Sequence, residues 1–297
     1  MGRAGLMAQY GLIEAGGTKF VLGIADETRA ISARHQVPTT TPQETLEACV
    51  AWFREQGLRN PEAIGIASFG PLDLNRASPT WGHITRTPKP HWSGADLVTP
   101  FARGFNCPVV IDTDVNGAAL SEHRWGAGIE HDSLLYLTIG TGVGGGFVGA
   151  GGGLLHGLTH PEMGHIRMKR HPLDQDYPGF CLFHGDCFEG LVAGPAIKDR
   201  WGASLSELPA DHPASTIIAW YIGQAICSFQ AIMDPARIVL GGGVMHAPGI
   251  LDKIRAAARE LGAGYFIGDP QEVVVAPALG DNAGLLGALA LVLKEEK

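Results

Sequence analysis

Between Glu162 and Glu189 the chain crowds Glu162, His165, Cys181, His184, Cys187 and Glu189 into one short span. Cys181-x-x-His184-x-x-Cys187 supplies two sulfurs and one imidazole, and Pro178, Gly179 and Gly185 supply turns that let close-spaced side chains converge. A second imidazole would complete the donor set of a tetrahedral Zn²⁺ site. Spacing alone does not choose it from His156, His160, His165 and His171. The plainer account is two buried cysteines beside surface histidines. Against it, the run from Phe180 to Cys187 has neither the helical nor the strand period that would turn both sulfurs into a core.

A second kind of chemistry is suggested by Asp112 and Asp114 at the end of a short apolar run, Pro108 to Ile111, because active groups in α/β sheets gather at the carboxyl ends of strands. Asp114 has the sequence position of a helix N-cap as well as that of a general base, and the two roles are compatible. Three glycine clusters also follow apolar runs: Gly16-Gly17-Thr18-Lys19, Gly140-Thr141-Gly142-Val143-Gly144 and Gly241-Gly242-Gly243. Each can be an ordinary turn, or a place where bare backbone amides approach a phosphate or a flat base. Gly140-x-Gly142-x-x-Gly145 satisfies the dinucleotide fingerprint literally, but the run from Gly146 to Gly151 cannot open the helix that fingerprint requires. No Gly-x-x-x-x-Gly-Lys-Ser/Thr occurs.

These residues must be positioned by elements that the pattern makes explicit. Tyr10 to Ala15 and Phe20 to Ala25 form a hairpin whose tip is the first glycine cluster, and Ala30 to Val37 is a third strand. Thr41-Pro42-Gln43-Glu44 opens a helix with a capping box that runs to about Gln56. Ala63 to Ala67 is a buried strand, the segment from there to Trp92 is a long loop, and Asn116 to Arg124 is helical. Ser133 to Thr138 then restarts the scheme: a strand, the second glycine cluster, and a return strand from Gly146 to Val148. The recurrence predicts a duplicated α/β fold. Ser215 to Met233 and Pro248 to Leu261 are helices around the strand Arg237 to Leu240, Glu272 to Ala276 is a last strand, and a helix from Ala283 towards Lys294 packs on the N-terminal half.

With 297 residues, 45% hydrophobic and 18% charged, the chain can form two domains with substantial cores. A net charge of -8 without a basic cluster argues against nucleic acid as a partner. Five cysteines, two of them in the metal loop, fit a reducing compartment, so cytoplasm is expected. No apolar run is expected to reach membrane-spanning length, and the first residues lack the apolar core of a signal peptide.

Taken together, Glu14-Ala15-Gly16-Gly17-Thr18-Lys19, Thr113-Asp114-Val115-Asn116, Gly140 to Gly145, Glu162-x-x-His165, the Cys/His loop, Cys187-x-Glu189 and Leu240 to Gly243 resemble the ROK family of sugar kinases and repressors. The likeness spans nearly the whole chain. The Glu-Ala-Gly-Gly-Thr-Lys start, Thr87-Pro88-Lys89-Pro90 and Cys181-x-x-His184-Gly185-Asp186-Cys187 are most similar to the bacterial zinc-containing fructokinase branch.

The resemblance implies a two-domain, actin-like sugar-kinase (ribonuclease H-like) α/β duplication with an interdomain cleft. Residues 1–113 plus 283–297 would form the N-terminal domain, and 114–282 the C-terminal domain with the zinc loop. It implies ATP- and Mg²⁺-dependent phosphorylation of a hexose, fructose to fructose 6-phosphate. Asp114 would bind the sugar and act as general base, with Glu162, His165 and Glu189 on sugar hydroxyls. His165 would join Cys181, His184 and Cys187 on a structural zinc. Gly16, Gly17, Thr18 and Lys19 with Gly140, Thr141 and Gly142 would surround the ATP phosphates, and Gly241, Gly242 and Gly243 would flank adenosine. A homodimer is the expected assembly.

Two departures stand out: Glu14 replaces the family's usual Asp, and Thr113 replaces the usual Asn, which predicts a lost sugar contact. Glucokinase, mannokinase and N-acetylhexosamine kinase are the alternatives on the same scaffold. A sugar-sensing repressor would need a helix-turn-helix before Tyr10, where only nine residues stand. A non-catalytic sugar-sensing protein is disfavoured by Asp114.

Overall fold

The computed structural model describes residues 8–209, 211–266 and 268–293; the expected domain ends at 1–7 and 294–297 lie outside the described residues. The chain forms two compact units: one runs to Arg124 and includes Leu155–His160 and the chain from Leu279, and the other comprises Trp125–Leu154 and Pro161–Ala278.

In the first unit, β1 (Tyr10–Ala15) and β2 (Lys19–Ala25) pair antiparallel, with Ala15 opposite Phe20, and β3 (Ile31–Pro38) adds beyond β2. Thr41 and Glu44 form the capping box of α1 (Pro42–Glu55), which buries Leu46, Cys49, Trp52 and Phe53. β4 (Ala63–Ser68) pairs parallel with β1; its six residues are all buried, as expected of a central parallel strand. After α2 (Thr99–Phe105), β5 (Val109–Thr113) completes the order β3-β2-β1-β4-β5 and leads directly into α3 (Asp114–Trp125). The segment between β4 and α2 contains no regular strand or helix but is firmly packed. Trp92 is fully buried, 5.4 Å from the Phe20 ring and 5.6 Å from that of Phe69, and its indole N–H donates to the Thr40 carbonyl at 2.8 Å.

The second unit repeats the plan. β6 (Leu134–Ile139) and β7 (Val143–Val148) pair antiparallel, and α4 (Phe188–Val192), α5 (Gly194–Trp201) and α6 (Ala214–Met233) precede β8 (Arg237–Gly241), which pairs parallel with β6. α7 (Ile250–Gly262) and α8 (Pro270–Val273) lead to the short β9 (Val274–Val275), giving the order β7-β6-β8-β9. In both units a hairpin is extended by parallel strands on the side of its first strand, so the predicted duplication is present. The chain ends its described part in α9 (Ala283–Val292), which packs on β4 and β1 of the first unit.

Several boundaries differ from the sequence expectation for physical reasons. β7 begins at Val143 and not near Gly146, because its glycine-rich half is held in register by β6 despite low strand propensity. The expected strand from Glu272 opens instead as α8: Pro270 occupies its first turn and the Asp269 carboxylate accepts from the Gln271 amide. α6, at 20 residues, is long and apolar enough to cross a membrane by length and composition, contrary to the expectation that no run would be. It is a core helix here, with Ile218, Tyr221, Ile222, Ala225 and Ile226 fully buried and α7 packed along it. The first compact unit also retains α3, whereas the expected boundary precedes Asp114.

Candidate active site and metal centre

The Cys/His loop is closed by its own backbone. Cys181 and Gly185 exchange hydrogen bonds, N to O at 3.1 Å and 2.9 Å, and Phe180 N donates to Gly190 O at 2.9 Å. Phe188 N donates to Ile166 O at 3.0 Å, bringing the far end of the loop against the residue after His165. The ligand atoms of His165, Cys181, His184 and Cys187 consequently lie within 4.8 Å of one another. His165 Nδ1 is 3.8 Å from Cys181 Sγ and 3.5 Å from Cys187 Sγ, and His184 Nδ1 is 3.8 Å from Cys181 Sγ. Tetrahedral Zn–S and Zn–N bonds place S and N roughly 3.5 Å apart, so the donors fit one Zn²⁺. Burial pushes the Cys187 thiol up to about 11, and a cation is what would favour thiolate there.

The geometry also selects among the four histidines. His156 Nε2 is 2.8 Å from Asp112, His160 Nε2 accepts from Leu72 N at 3.0 Å, and His171 Nδ1 accepts from Leu173 N at 3.1 Å. Of the four, His165 is the one in the cluster.

With Nδ1 turned to the sulfurs, the Nε2 of His165 faces Glu162 at 3.9 Å. Burial raises the Glu162 carboxyl above its ordinary value, His165 opposes that shift, and the negative charge of Glu189 adds to it. The two carboxylates therefore share one neighbourhood. Glu189, in the first turn of α4, accepts from Val143 N at 2.9 Å. A side chain at Gly142 would press on that carboxylate, its Cβ 2.8 Å from Oε2. The tip Gly140-Thr141-Gly142 is further held by Gly140 N to Gly142 O at 2.9 Å and Gly194 N to Gly140 O at 2.7 Å. Gly242, at φ 92°, lies so close to the backbone of Ile139 that a side chain would overlap it. This packing sets Gly241–Gly243 beside the hairpin tip, and a Cβ on Gly140 would be 3.9 Å from Gly243 N.

In the first unit, the tip Gly17-Thr18-Lys19 is exposed, and its flanks are held from the end of β3: Thr39 N donates to Thr18 O at 2.9 Å and Thr39 Oγ1 to Gly16 O at 2.7 Å. Glu14 lies on the neighbouring end of β1. Its carboxylate fills the space over Gly284 in the first turn of α9, where a Cβ would overlap it. Burial raises the Glu14 carboxyl above its ordinary value; Arg34 and Lys19 oppose the shift. The end of a helix whose amides point outward suits a carboxylate.

Asp114 is the first residue of α3, and its Oδ1 accepts from Val115 N at 2.9 Å. The capping bond belongs to Thr113, whose Oγ1 accepts from Asn116 N at 3.1 Å. Thr113 is thus an N-cap, a role that the sequence pattern offers to Asp114. The sequence signals that point to Thr113 are the preference for Thr at N-caps and its place three residues before Asn116.

Comparison with known proteins finds relatives along most of the chain. The ROK family matches residues 10–295. A fructokinase from Zymomonas mobilis is 50% identical over 293 residues, covering 97% of both chains. Among solved structures, a ROK hexokinase from Thermus thermophilus superposes with a TM-score of 0.78 at 31% identity, covering 95% of this chain and 97% of that one. A ROK family glucokinase from Streptomyces griseus, solved with glucose and AMPPNP, gives 0.72 at 27% identity over the same shares.

The contact between Glu14 and Gly284 can be checked by stability. Gly284→Ala is expected to destabilise the protein by about 2 kcal/mol through overpacking, and the shorter Glu14→Asp in the same chain to recover part of the loss. Urea unfolding of the two single variants and the double variant measures this; additive losses would show that the two positions do not compete for space.

Proposed function

The chain belongs to the ROK family, and from that premise we propose that it is an ATP- and Mg²⁺-dependent fructokinase that transfers the γ-phosphoryl group to the C6 hydroxyl of fructose. The observation that carries this reading is likeness to a fructokinase along 97% of the chain. The duplicated α/β fold and the clustered carboxylates, glycine tips and Cys/His loop are consistent with it.

Phosphoryl transfer requires an aligned hydroxyl, a base to receive its proton and donors for the moving charge. In this reading Asp114, the first residue of α3 just after β5, accepts the hydroxyl proton. Glu162, His165 and Glu189 pair with other sugar hydroxyls and hold the ring. The backbone at Gly16–Lys19 and Gly140–Gly142 offers amides to the ATP phosphates, and Gly241–Gly243 forms a flat seat for adenosine. Mg²⁺ would arrive with ATP and offset phosphate charge. Zn²⁺ on His165, Cys181, His184 and Cys187 would be structural, since four protein ligands leave no open position for water. Its contribution would be to fix the segments bearing Glu162, His165 and Glu189.

A mismatched epimer leaves buried polar groups unpaired at a cost of about 1–3 kcal/mol each, so selectivity of ten- to hundredfold is expected over glucose and mannose. Steady-state kinetics by ADP release with fructose, glucose, mannose and N-acetylmannosamine tests the reading. A glucose kcat/KM above that of fructose would move the enzyme to the glucokinases. Asp114→Asn is expected to lower kcat by about a hundredfold or more with little change in sugar affinity; near-normal kcat would remove Asp114 as the base. Protein purified without added metal is expected to carry about one zinc per chain. Elemental analysis should find it lost in Cys181→Ser and Cys187→Ser, and equal zinc in all three proteins would rule out the site.

A further inference from the structure

The proposed chemistry makes no use of Asp112 or His156, yet these two side chains meet directly beneath the turn that carries Asp114. Asp112 is 6% exposed, and its Oδ2 is 2.8 Å from His156 Nε2, so the imidazole donates and the carboxylate accepts. Its other oxygen accepts from Thr113 N at 2.8 Å and from Asn116 Nδ2 at 2.7 Å. Thr113 Oγ1 in turn accepts from Asn116 N at 3.1 Å. Residues 112, 113 and 116 therefore brace the junction of β5 and α3 on which Asp114 stands. His156 reaches the junction from a distant part of the sequence, on the segment Leu155–His160, which belongs to the same compact unit. A second anchor holds that segment, through His160 Nε2 and the amide of Leu72 at 3.0 Å.

We propose that His156 is a positioning residue for Asp114, acting through the buried carboxylate of Asp112. The inference rests on Asp114 being the base of the proposed kinase. A buried carboxylate keeps its place only while donors satisfy it, and His156 is the one donor to Asp112 in this set that comes from outside the β5–α3 junction. Without it, Asp112 can turn towards water and carry Asn116 and Thr113 with it. A displacement of about 1 Å at the base is enough to cost on the order of a hundredfold in rate while leaving substrate binding nearly intact.

The test is steady-state kinetics on the full chain with fructose and MgATP. His156→Ala is expected to lower kcat by roughly ten- to a hundredfold, with both KM values changing less than about threefold. His156→Gln, which can place an N–H near the position of Nε2, is expected to recover most of the loss; His156→Asn, too short to reach, is not. If His156→Ala proves insoluble, the contrast between Gln and Asn carries the test. In combination with Asp114→Asn, His156→Ala should add little further loss, because a positioning residue has nothing left to position. Normal kcat in His156→Ala, equal activities in the Gln and Asn variants, or full multiplication with Asp114→Asn would each overturn the proposal. Failure of the underlying kinase reading would look different: the unmodified chain would phosphorylate none of the sugars.

Discussion

The hydrogen bond from the Val143 amide to the Glu189 carboxylate is the contact on which the second unit's site depends. Glu189 is two residues beyond Cys187, and Val143 begins the strand that leaves the Gly140–Gly142 tip. Cys/His cluster, carboxylate and glycine hairpin thus form one connected path with no flexible spacer. A charge-assisted bond of this kind contributes about 1.5–3 kcal/mol. Its larger consequence is geometric: whatever displaces the Cys/His loop displaces the hairpin tip as well. Gly194 adds a second tether to the same tip at the start of α5.

The unit contains two contrasting settings for a negative charge, one buried at Asp174 and one exposed at Glu162. Asp174 is neutralised as a structural group, accepting from Tyr221 Oη at 2.8 Å and from Arg200 at 2.5 Å, with Arg170 alongside at 3.7 Å. Arg200 is itself sandwiched 4.2 Å from the rings of Tyr177 and Trp201. Glu162 has instead a like-charged neighbour in Glu189 and a histidine whose other nitrogen faces the Cys/His cluster. Such a pair leaves acceptors suited to hydroxyl donors, the kind of local conflict found where sites are built.

Most of what local chemistry determines was legible in the sequence. The capping box at Thr41 and Glu44, the hairpin at Gly16–Lys19 and the Cys/His knuckle all depend on residues a few positions apart, and each is present in the structure. The choice of His165 over three other histidines was not legible from spacing, because it depends on which of them the rest of the fold engages elsewhere. Thr113 as the cap is hidden for a similar reason: Asp114 is an equally good candidate one residue later. The pairing of His156 with Asp112 spans 44 residues, and that of Glu14 with Gly284 joins opposite ends of the chain; neither leaves a periodic trace. β7 is longer than its residue types suggest because glycine is a poor strand former, a preference that the partner strand overrides.

α9 comes last in the described chain, yet it covers β1 and β4, the central strands of the first unit. Gly65 of β4 approaches the Ala288 carbonyl so closely that a side chain there would overlap it, which makes this helix an integral wall of that core. The second unit, by contrast, is encoded wholly between Trp125 and Ala278, a span interrupted by Leu155–His160 of the first unit. During synthesis from the N-terminus, all of its residues are available before α9 has been made. The core of the first unit therefore cannot be completed until α9 has been made. A nascent chain stalled before Ala283 would hold a first sheet with its α9-facing side bare.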